Sequence, residues 1–550
     1  MLPCFSFFSF LIPQIQPKYP YIYIYFRLSL VFHFFHSSLS LLKAMTTDSP
    51  FLNLPPELRI IIYEYYVSDE GYIYHPRARK LRDTYGYPID LSLMYTCRLV
   101  ACEMDGIALR TNTITFSSFY LKSMAGIAWF QDYTLDSIHH IKQRMLRLLK
   151  PCFTEKLKSS VGQVYPQFMP ILDNIDSDWV ADRMGHAPSI IHKALDYTLN
   201  LASSHHLFDA VALQCETEHN LIWGGPGAVV SEVTPDCDAL DSVPFEPWKI
   251  PTPADTRRSL SVCGFKVPSI GDRWMKMFYG PEKYCFSAAA ASIQFLGSLP
   301  ASTRAHIRRI VLHENDISVA YPECHALGLI PFCQENPRLR IERRVNLWTN
   351  VFLRPLRQFN GNPILSPRYH TNRDGVIRRI SSTLTRSVAL WTVEALELVP
   401  SGMPEGSFSL LLDGEPLPDE CEQIFDHIIQ SDVTWQAAME ESEARGFLPR
   451  FDIFQEGNMH RYVLYTFKNF PGAFNNISKK RKSIVRCNFY LRAYSTTYAE
   501  HLAENRSGWT VDMWRGRNWL SYRWIDWNTY TPFLEWMDLL YTAFGFCLKD

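Results

Sequence analysis

The chain has 550 residues, of which 47% are hydrophobic and 20% charged, and this composition is typical of folded globular protein. Domains commonly hold roughly 100 to 200 residues, so the length predicts several compact units. Since 55 Lys and Arg balance 56 Asp and Glu, the net charge of −1 excludes a bulk field that would attract nucleic acid or an anionic membrane. The 13 cysteines include no Cys-X-X-Cys pair, which argues against a disulfide framework and favours a reducing, cytoplasmic or nuclear, compartment.

Residues 1–44 differ from the rest of the chain, because they contain no Asp or Glu and only Lys18, Arg27 and Lys43 are charged. The longest uncharged apolar run, residues 28–42, is shorter than the roughly 20 residues of a membrane-spanning helix. Four prolines interrupt the stretch before it, which argues against a secretory signal. We interpret this leader as a start assigned too early, with Met45 as the true start, or as a targeting segment.

Patterned globular sequence begins at residue 51. Pro56 and Glu57 suit the first turn of a helix. The apolar stripe of this helix consists of Leu58, Ile61, Ile62 and Tyr65. A second helix is predicted over residues 91–109, followed by a short strand over residues 111–116. The apolar stripe of the second helix consists of Leu93, Cys97, Val100, Met104 and Ile107.

Three blocks of residues occur in order along this segment. They are Leu54-Pro55-Pro56-Glu57-Leu58-Arg59 with Ile62-Tyr63, then Thr96-Cys97-Arg98 with Glu103, then Asn112-Thr113 with Phe116. Together the blocks resemble the F-box-like segment of a large filamentous-fungal protein family, over about residues 49–119 only.

The resemblance implies that residues 49–120 form a small helical module that engages other proteins. In F-box proteins such a helix pair docks on the Skp-type adaptor of a cullin ubiquitin ligase, while the rest of the chain captures a substrate. Carried over by position, the adaptor-facing apolar edge would consist of Leu54, Pro55, Leu58 and Ile62. Residues 68–90 separate the two predicted helices more widely than in the compact F-box module. An alternative is that the two apolar stripes pack only on each other.

Beyond residue 120 the pattern predicts a larger body of interleaved helices and strands, and therefore a mixed α+β fold. Residues 121–223 are helix-rich, with helices over 137–150 and 189–204 and a strand over 210–214. Residues 224–258 contain six prolines and six acidic residues, so we expect an exposed linker or loop. Residues 259–550 form the mixed α/β body, with an Ala-rich helix over 287–299, a strand over 407–412 and a helix from Pro418.

Residues 307–315 fit the leucine-rich-repeat template, in which apolar positions build a strand and an asparagine turns the chain. Looser matches at residues 208–216 and 393–401 are spaced too far apart for that repeat. We therefore expect ordinary packing of helices on strands, with an irregular repeat domain as the alternative.

The chain lacks the glycine-rich nucleotide loops, the zinc-protease motif and the hydrolase elbow, so the sequence predicts no enzymatic activity and no cofactor. His313, Cys324, His325 and Cys333 lie in one region, but their spacing fits no standard metal site, and we predict no bound metal. Asp413 and Glu415 could act as paired acids, although an Asp-Gly turn accounts for Asp413 more simply.

Two basic features remain. Lys479, Lys480, Arg481 and Lys482 form a run that nuclear import machinery could read. Six of the 14 Trp residues lie between Trp509 and Trp536, among Arg515, Arg517 and Arg523. This Trp-rich C-terminal element is predicted to be a core element, or else a surface that stacks single-stranded nucleic acid.

These patterns predict a non-enzymatic protein-protein interaction protein with an unknown protein substrate and no membrane anchor. The F-box-like resemblance implies a more specific role, the substrate-recognition subunit of a Skp-cullin-F-box type ubiquitin ligase. The alternatives are a scaffold without a ligase and a nucleic-acid-binding protein acting through Arg309, the basic run and the Trp-rich element, although nucleic acid is the less favoured partner.

Overall fold

A computed structural model describes residues 49–173, 175, 186–219, 236–237, 239–264, 283–353, 378–379, 381–448, 467–479, 483–510, 513–514 and 525–526. The chain divides into a first unit that ends at Ile62 and a second that begins at Tyr63. The predicted leader, residues 1–44, lies outside the described residues.

The described residues contain both helices and strands. The α-helices are α1 (Pro56–Val67), α2 (Arg98–Glu103), α3 (Ile107–Thr111), α4 (Ala125–Leu148), α5 (Glu155–Val164), α6 (Met169–Asp173), α7 (Pro188–Ala202), α8 (Phe208–His219), α9 (Pro253–Val262), α10 (Ala288–Ser298), α11 (Ala301–Arg304), α12 (Ile330–Glu335), α13 (Ser381–Glu397), α14 (Pro418–Ile424), α15 (Gln430–Ala444), α16 (Phe470–Ser478) and α17 (Thr496–Asn505). The strands are β1 (Tyr72–His75), β2 (Lys80–Asp83), β3 (Thr113–Ser117), β4 (Arg309–Glu314), β5 (Arg340–Asn346), β6 (Arg378–Arg379), β7 (Phe408–Asp413), β8 (Val485–Cys487) and β9 (Ile525–Asp526). This interleaving confirms the predicted mixed α+β fold class.

One sheet joins seven of these strands in the order β2-β1-β3-β4-β5-β7-β8. Strands β1 and β2 are antiparallel, and every other neighbouring pair is parallel. Parallel neighbours need a crossover connection, which explains why helices fall between successive strands. The segment that resembles an F-box therefore contributes three strands to this sheet in addition to its helices.

The largest hydrophobic core lies on one face of the sheet. Burial alternates along β4, β5 and β7, as the two-residue period of a strand requires. Ile310, Ile341 and Phe408 pair in register across the three strands and point into this core. The Ala-rich helix α10 packs on β3 and β4, and its prediction from the sequence is confirmed.

A buried ion pair ties this core together. The Arg343 guanidinium on β5 lies 2.7 Å from the Glu314 carboxylate on β4, and their side chains are 1% and 0% exposed. Glu314 also accepts hydrogen bonds from the backbone N–H groups of Ala288 and Ala289 at the start of α10. Buried charges are tolerated when their hydrogen-bonding capacity is met in this way.

A second core forms among α4, α5, α7 and α8, and it corrects one prediction. Residues 210–214 belong to helix α8 and not to a strand. Val211, Ala212 and Cys215 are buried at helical spacing. The prediction failed because a five-residue segment is too short to distinguish the period of a helix from that of a strand.

The described part of residues 224–258, for which we predict an exposed linker or loop, is only partly exposed. Leu240, Val243 and Ile250 are buried, so this part contributes to the cores. Pro253 begins helix α9, where Thr252 and Asp255 form a capping box. Prolines that suggested a loop thus serve partly as helix starts.

The second helix predicted near the N-terminus is broken. A 3-10 turn (Ser92–Tyr95), α2 and α3 replace the single helix over residues 91–109. Gly106 separates α2 from α3 with a φ of +69°, and a Cβ at this position would lie 2.2 Å from the His306 ring. The stripe positions Val100, Met104 and Ile107 are nevertheless buried.

Of the three leucine-rich-repeat matches, only residues 307–315 form a strand, because the other two lie in α8 and at the end of α13. The sheet nevertheless places its parallel strands side by side in chain order. Asn and Asp residues occupy the strand ends, where Asn488 donates a hydrogen bond to Asp413 across 2.7 Å.

Candidate interaction surface

The apolar edge, which we define as Leu54, Pro55, Leu58 and Ile62, follows a turn that Arg59 holds in place. The Arg59 guanidinium donates hydrogen bonds to the backbone carbonyls of Leu52, at 2.9 Å, and Leu54. Its side chain is only 6% exposed. Arg59 therefore fixes the conformation of the turn that presents Leu54 and Pro55.

The apolar edge is accessible on its own unit. Leu58 is 47% exposed and Ile62 is 40% exposed, Pro55 is exposed, and Leu54 is half-buried. Ile61 lies beside them and is 59% exposed. Leu58, Ile61 and Ile62 are thus three large aliphatic side chains on one helix that remain accessible. Such an exposed apolar surface is characteristic of an interaction site.

In the second unit, hydrogen bonds connect the blocks that carry the F-box-like resemblance. The Tyr63 hydroxyl donates to the Glu103 carboxylate at 2.8 Å. The Asn112 amide donates to the Val67 carbonyl at 2.8 Å and accepts from the Asp69 N–H at 3.0 Å. Three residues of these blocks, Tyr63, Glu103 and Asn112, therefore connect the end of α1 to α2 and to the residue before β3.

A further contact connects Tyr66, near the end of α1, to Asp90, which precedes the 3-10 turn. Tyr66 lies next to Asp90, which accepts hydrogen bonds from the backbone and the hydroxyl group of Ser92. Burial, followed by the hydrogen bond to Asp90, raises the pKa of Tyr66 to about 12. Tyr66 is therefore a neutral hydrogen-bond donor at physiological pH.

A Ser–His arrangement exists elsewhere, but it is enclosed in the core. Ser287 Oγ and His325 Nδ1 are 2.6 Å apart, and the side chains are 0% and 1% exposed. His325 Nε2 faces the Ala320 carbonyl at 2.7 Å, which assigns the proton to Nε2 and makes Nδ1 an acceptor. Ser287 Oγ also accepts from the Ala290 N–H, so this pair caps helix α10.

Glu394 forms a second buried polar cluster at the start of α7. Its carboxylate accepts hydrogen bonds from the Ser189 N–H at 2.7 Å and the Ser189 hydroxyl at 2.8 Å. The Cys324 thiol lies 3.2 Å from the same carboxylate. Burial raises the pKa of Glu394 to about 7.

The candidate metal ligands lie in different environments. Cys324, His325 and Cys333 are buried, whereas His313 is half-buried on the other face of β4. No group of three or more His, Cys, Asp or Glu side chains that could hold a metal occurs in the described ranges. Asp413 accepts from the Glu415 N–H at 3.1 Å, as the predicted turn requires.

The basic run is only partly described. Lys479 is exposed directly after α16, and Lys480, Arg481 and Lys482 lie outside the described residues. In the Trp-rich element, Trp514 is 1% exposed and packs against Trp435 and Trp509. The Arg506 guanidinium lies over both Trp509 and Trp514. This described portion of the element is part of a core.

No family model, curated protein or solved structure matches the chain. Among the helices of the described residues, none has the length and apolar character needed to cross a membrane.

Sequence reasoning missed the role of Arg59. The signal was the step of four residues from Arg59 to Tyr63 and again from Tyr63 to Val67, since Tyr63 and Val67 are also buried. A charged residue at such a spacing is normally assigned to a solvated face, because buried charges are rare without partners. Here the backbone carbonyls of the preceding turn supply the partners.

Proposed function

We propose that this chain is a non-enzymatic interaction protein whose apolar edge docks on the Skp-type adaptor of a cullin ubiquitin ligase. The residues that follow would then capture a protein substrate that is still to be identified. In this role the chain positions a substrate and performs no bond chemistry. We expect it in the cytoplasm, the nucleus or both.

The observation that carries the proposal is the exposure of Leu58 and Ile62 on an ordered helix. Exposed aliphatic side chains on a preorganised element can bind a partner without a large ordering cost. The Arg59 hydrogen bonds supply this preorganisation for the adjoining turn. A few apolar anchors of this type usually provide most of the affinity of an interface.

The test compares two double variants of the full chain. Leu58→Asp with Ile62→Asp places charges on the apolar edge, and Val164→Asp with Leu213→Asp places them on exposed apolar residues elsewhere. Because all four side chains are at least 40% exposed, both variants should keep the unfolding midpoint of the unmutated protein. Retention of the purified adaptor should fall by about tenfold or more only in the first variant.

Equal retention by both variants would exclude the apolar edge as the docking site. If the unmutated chain binds no adaptor but another protein requires Leu58 and Ile62, the chain acts as a scaffold without a ligase.

A further inference from the structure

Five arginines gather where the parallel strands of the large sheet begin. We call this set the basic edge, and it consists of Arg110, Arg308, Arg309, Arg338 and Arg340. Arg309 and Arg340 pair in register on the neighbouring strands β4 and β5, and Thr113 of β3 occupies the same row. Neighbouring strands lie about 4.8 Å apart, so the two side chains leave the same face of the sheet next to each other.

The basic edge carries positive charge that the described part of the chain does not neutralise. None of its five members forms an ion pair there, whereas Arg343 pairs with Glu314, and Arg344 and Arg486 pair with Glu342. Partial burial, followed by the charges of Arg338 and Arg110, lowers the pKa of Arg308. Guanidinium groups from three separate segments therefore lie close enough to repel one another.

Two of these side chains are held by the backbone through a single nitrogen. Arg308 Nη1 donates to the carbonyls of Ala305, at 2.7 Å, and Ile307, at 3.1 Å. Arg340 Nη1 donates to the carbonyls of Pro337, at 2.6 Å, and Leu339, at 2.9 Å. In both residues Nε and Nη2 have no partner within the described ranges, so these N–H groups can bind a ligand.

The loops that carry the arginines are themselves fixed. The Asn336 amide donates to the carbonyls of Arg304, at 3.0 Å, and Ile307, at 2.8 Å, and its side chain is buried. It thereby ties the turn before β5 to the turn before β4. A site on such rigid elements loses little entropy when it binds.

Adjacent guanidinium groups with free N–H donors match the geometry of a phosphate group, which accepts several charge-assisted hydrogen bonds at once. The basic edge is compact, and the whole chain has a net charge of −1, so no bulk field draws an extended polyanion to it. On the open face of the sheet, Thr115 and Val311 follow Thr113 and Arg309, and they are half-buried. Hydroxyl and apolar surface beside the arginines can contact the residues that flank a phosphorylated side chain.

We propose that the basic edge binds a phosphorylated segment of a partner protein. The phosphate would contact Arg309 and Arg340, with Arg308, Arg338 and Arg110 completing the positive field. The proposal uses none of the apolar-edge residues and does not depend on adaptor binding.

The test uses the full chain and a labelled library of degenerate peptides with a fixed phosphoserine or phosphothreonine, beside the same library without phosphate. Binding is followed by fluorescence anisotropy. Phosphorylation should strengthen binding by about tenfold or more. Arg309→Ala with Arg340→Ala should remove this gain, and so should Arg338→Glu, whose side chain is exposed. The matched control, Arg257→Ala with Arg258→Ala on α9, should retain it.

Equal binding of both libraries would overturn the proposal, and so would an effect of the control variant as large as that of the basic-edge variants. Tighter binding of single-stranded RNA than of the phosphorylated library, lost in the Arg309→Ala with Arg340→Ala variant, would assign the site to nucleic acid instead. Inorganic phosphate alone should compete only weakly, and full competition by it would reduce the site to one for free anions.

Discussion

The Tyr63 hydroxyl donates a hydrogen bond to the Glu103 carboxylate at 2.8 Å, although 40 residues separate them in the chain. Tyr63 is 0% exposed, so this contact lies within packed structure. It fixes helix α2 against the residues that end α1, and Asn112 fixes β3 there by its bond to the Val67 carbonyl. Tyr63, Glu103 and Asn112 are therefore structural contacts between segments that are distant in the sequence.

Tyr63→Phe should destabilise the fold by about 1 to 2 kcal/mol, because the buried hydrogen bond to Glu103 is lost. The free energy of unfolding from urea denaturation measures the effect. Tyr498→Phe removes a hydroxyl from a side chain that is 60% exposed and should change stability far less. Equal effects of the two variants would contradict a structural role for the Tyr63 hydroxyl.

Gly106→Ala should destabilise the fold by about 2 kcal/mol or more, since both the positive φ and the overlap with His306 oppose a Cβ. His306→Ala removes the ring that the new methyl group would meet. The double variant should therefore lose less stability than the sum of the two single variants. Strict additivity in denaturant unfolding would show that the overlap with His306 is unimportant.

Glu394→Gln should stabilise the protein increasingly as the pH rises. The pKa of this carboxyl is about 7 in the folded state against an ordinary value of 4.5, so ionisation opposes folding across that window. Below about pH 4.5 the group is protonated in both states and the difference is small. Above pH 7 the variant should gain about 3 kcal/mol, which follows from the shift in pKa.

Thermal unfolding of both proteins across this pH range checks the sign. Ser189→Ala removes a hydroxyl that donates to the carboxylate, so it should raise the pKa of Glu394 further. A stability difference between Glu394→Gln and the unmutated protein that stays constant with pH would refute the assignment.

Trp514→Ala should cost about 3 to 5 kcal/mol, because a buried indole that packs on Trp435 and Trp509 is removed. The exposed side chain of Tyr490 provides a control, and Tyr490→Ala should cost much less. Scanning calorimetry measures both. If Trp514→Ala leaves the melting temperature unchanged but abolishes binding of a partner, the Trp-rich element is a recognition surface.

The spacing of apolar residues along the chain predicts many of the helices and strands. The Ala-rich helix α10, strands β4 and β7 and the helix that begins at Pro418 occur where the sequence predicts them. Their buried positions, such as Ile424 and Phe425, repeat at the spacing that a packed face requires.

Other features depend on tertiary contacts that no local pattern contains. Gly106 breaks a periodic segment with its positive φ, and His306, 200 residues later, leaves no space there for a Cβ. The strands of the sheet pair across long insertions, so their order could not be read from the sequence.

The two proposed interaction surfaces differ in how far the sequence predicts them. The resemblance names the apolar edge residue by residue, but it does not reveal that Leu58 and Ile62 remain exposed. The basic edge joins Arg110 to arginines that lie about 200 residues or more further along the chain, and only the pairing of β3, β4 and β5 brings them together. Of its five arginines, only Arg309 is a candidate site residue from the sequence, where it belongs to the alternative nucleic-acid-binding role.

Titration of the unmutated full chain with purified Skp-type adaptor, followed by isothermal calorimetry, tests the proposed function most directly. We expect a one-to-one complex with a dissociation constant in the micromolar range or tighter, which Leu58→Asp with Ile62→Asp abolishes. Absence of binding at micromolar concentrations of both proteins, with the chain folded, would contradict the ligase role.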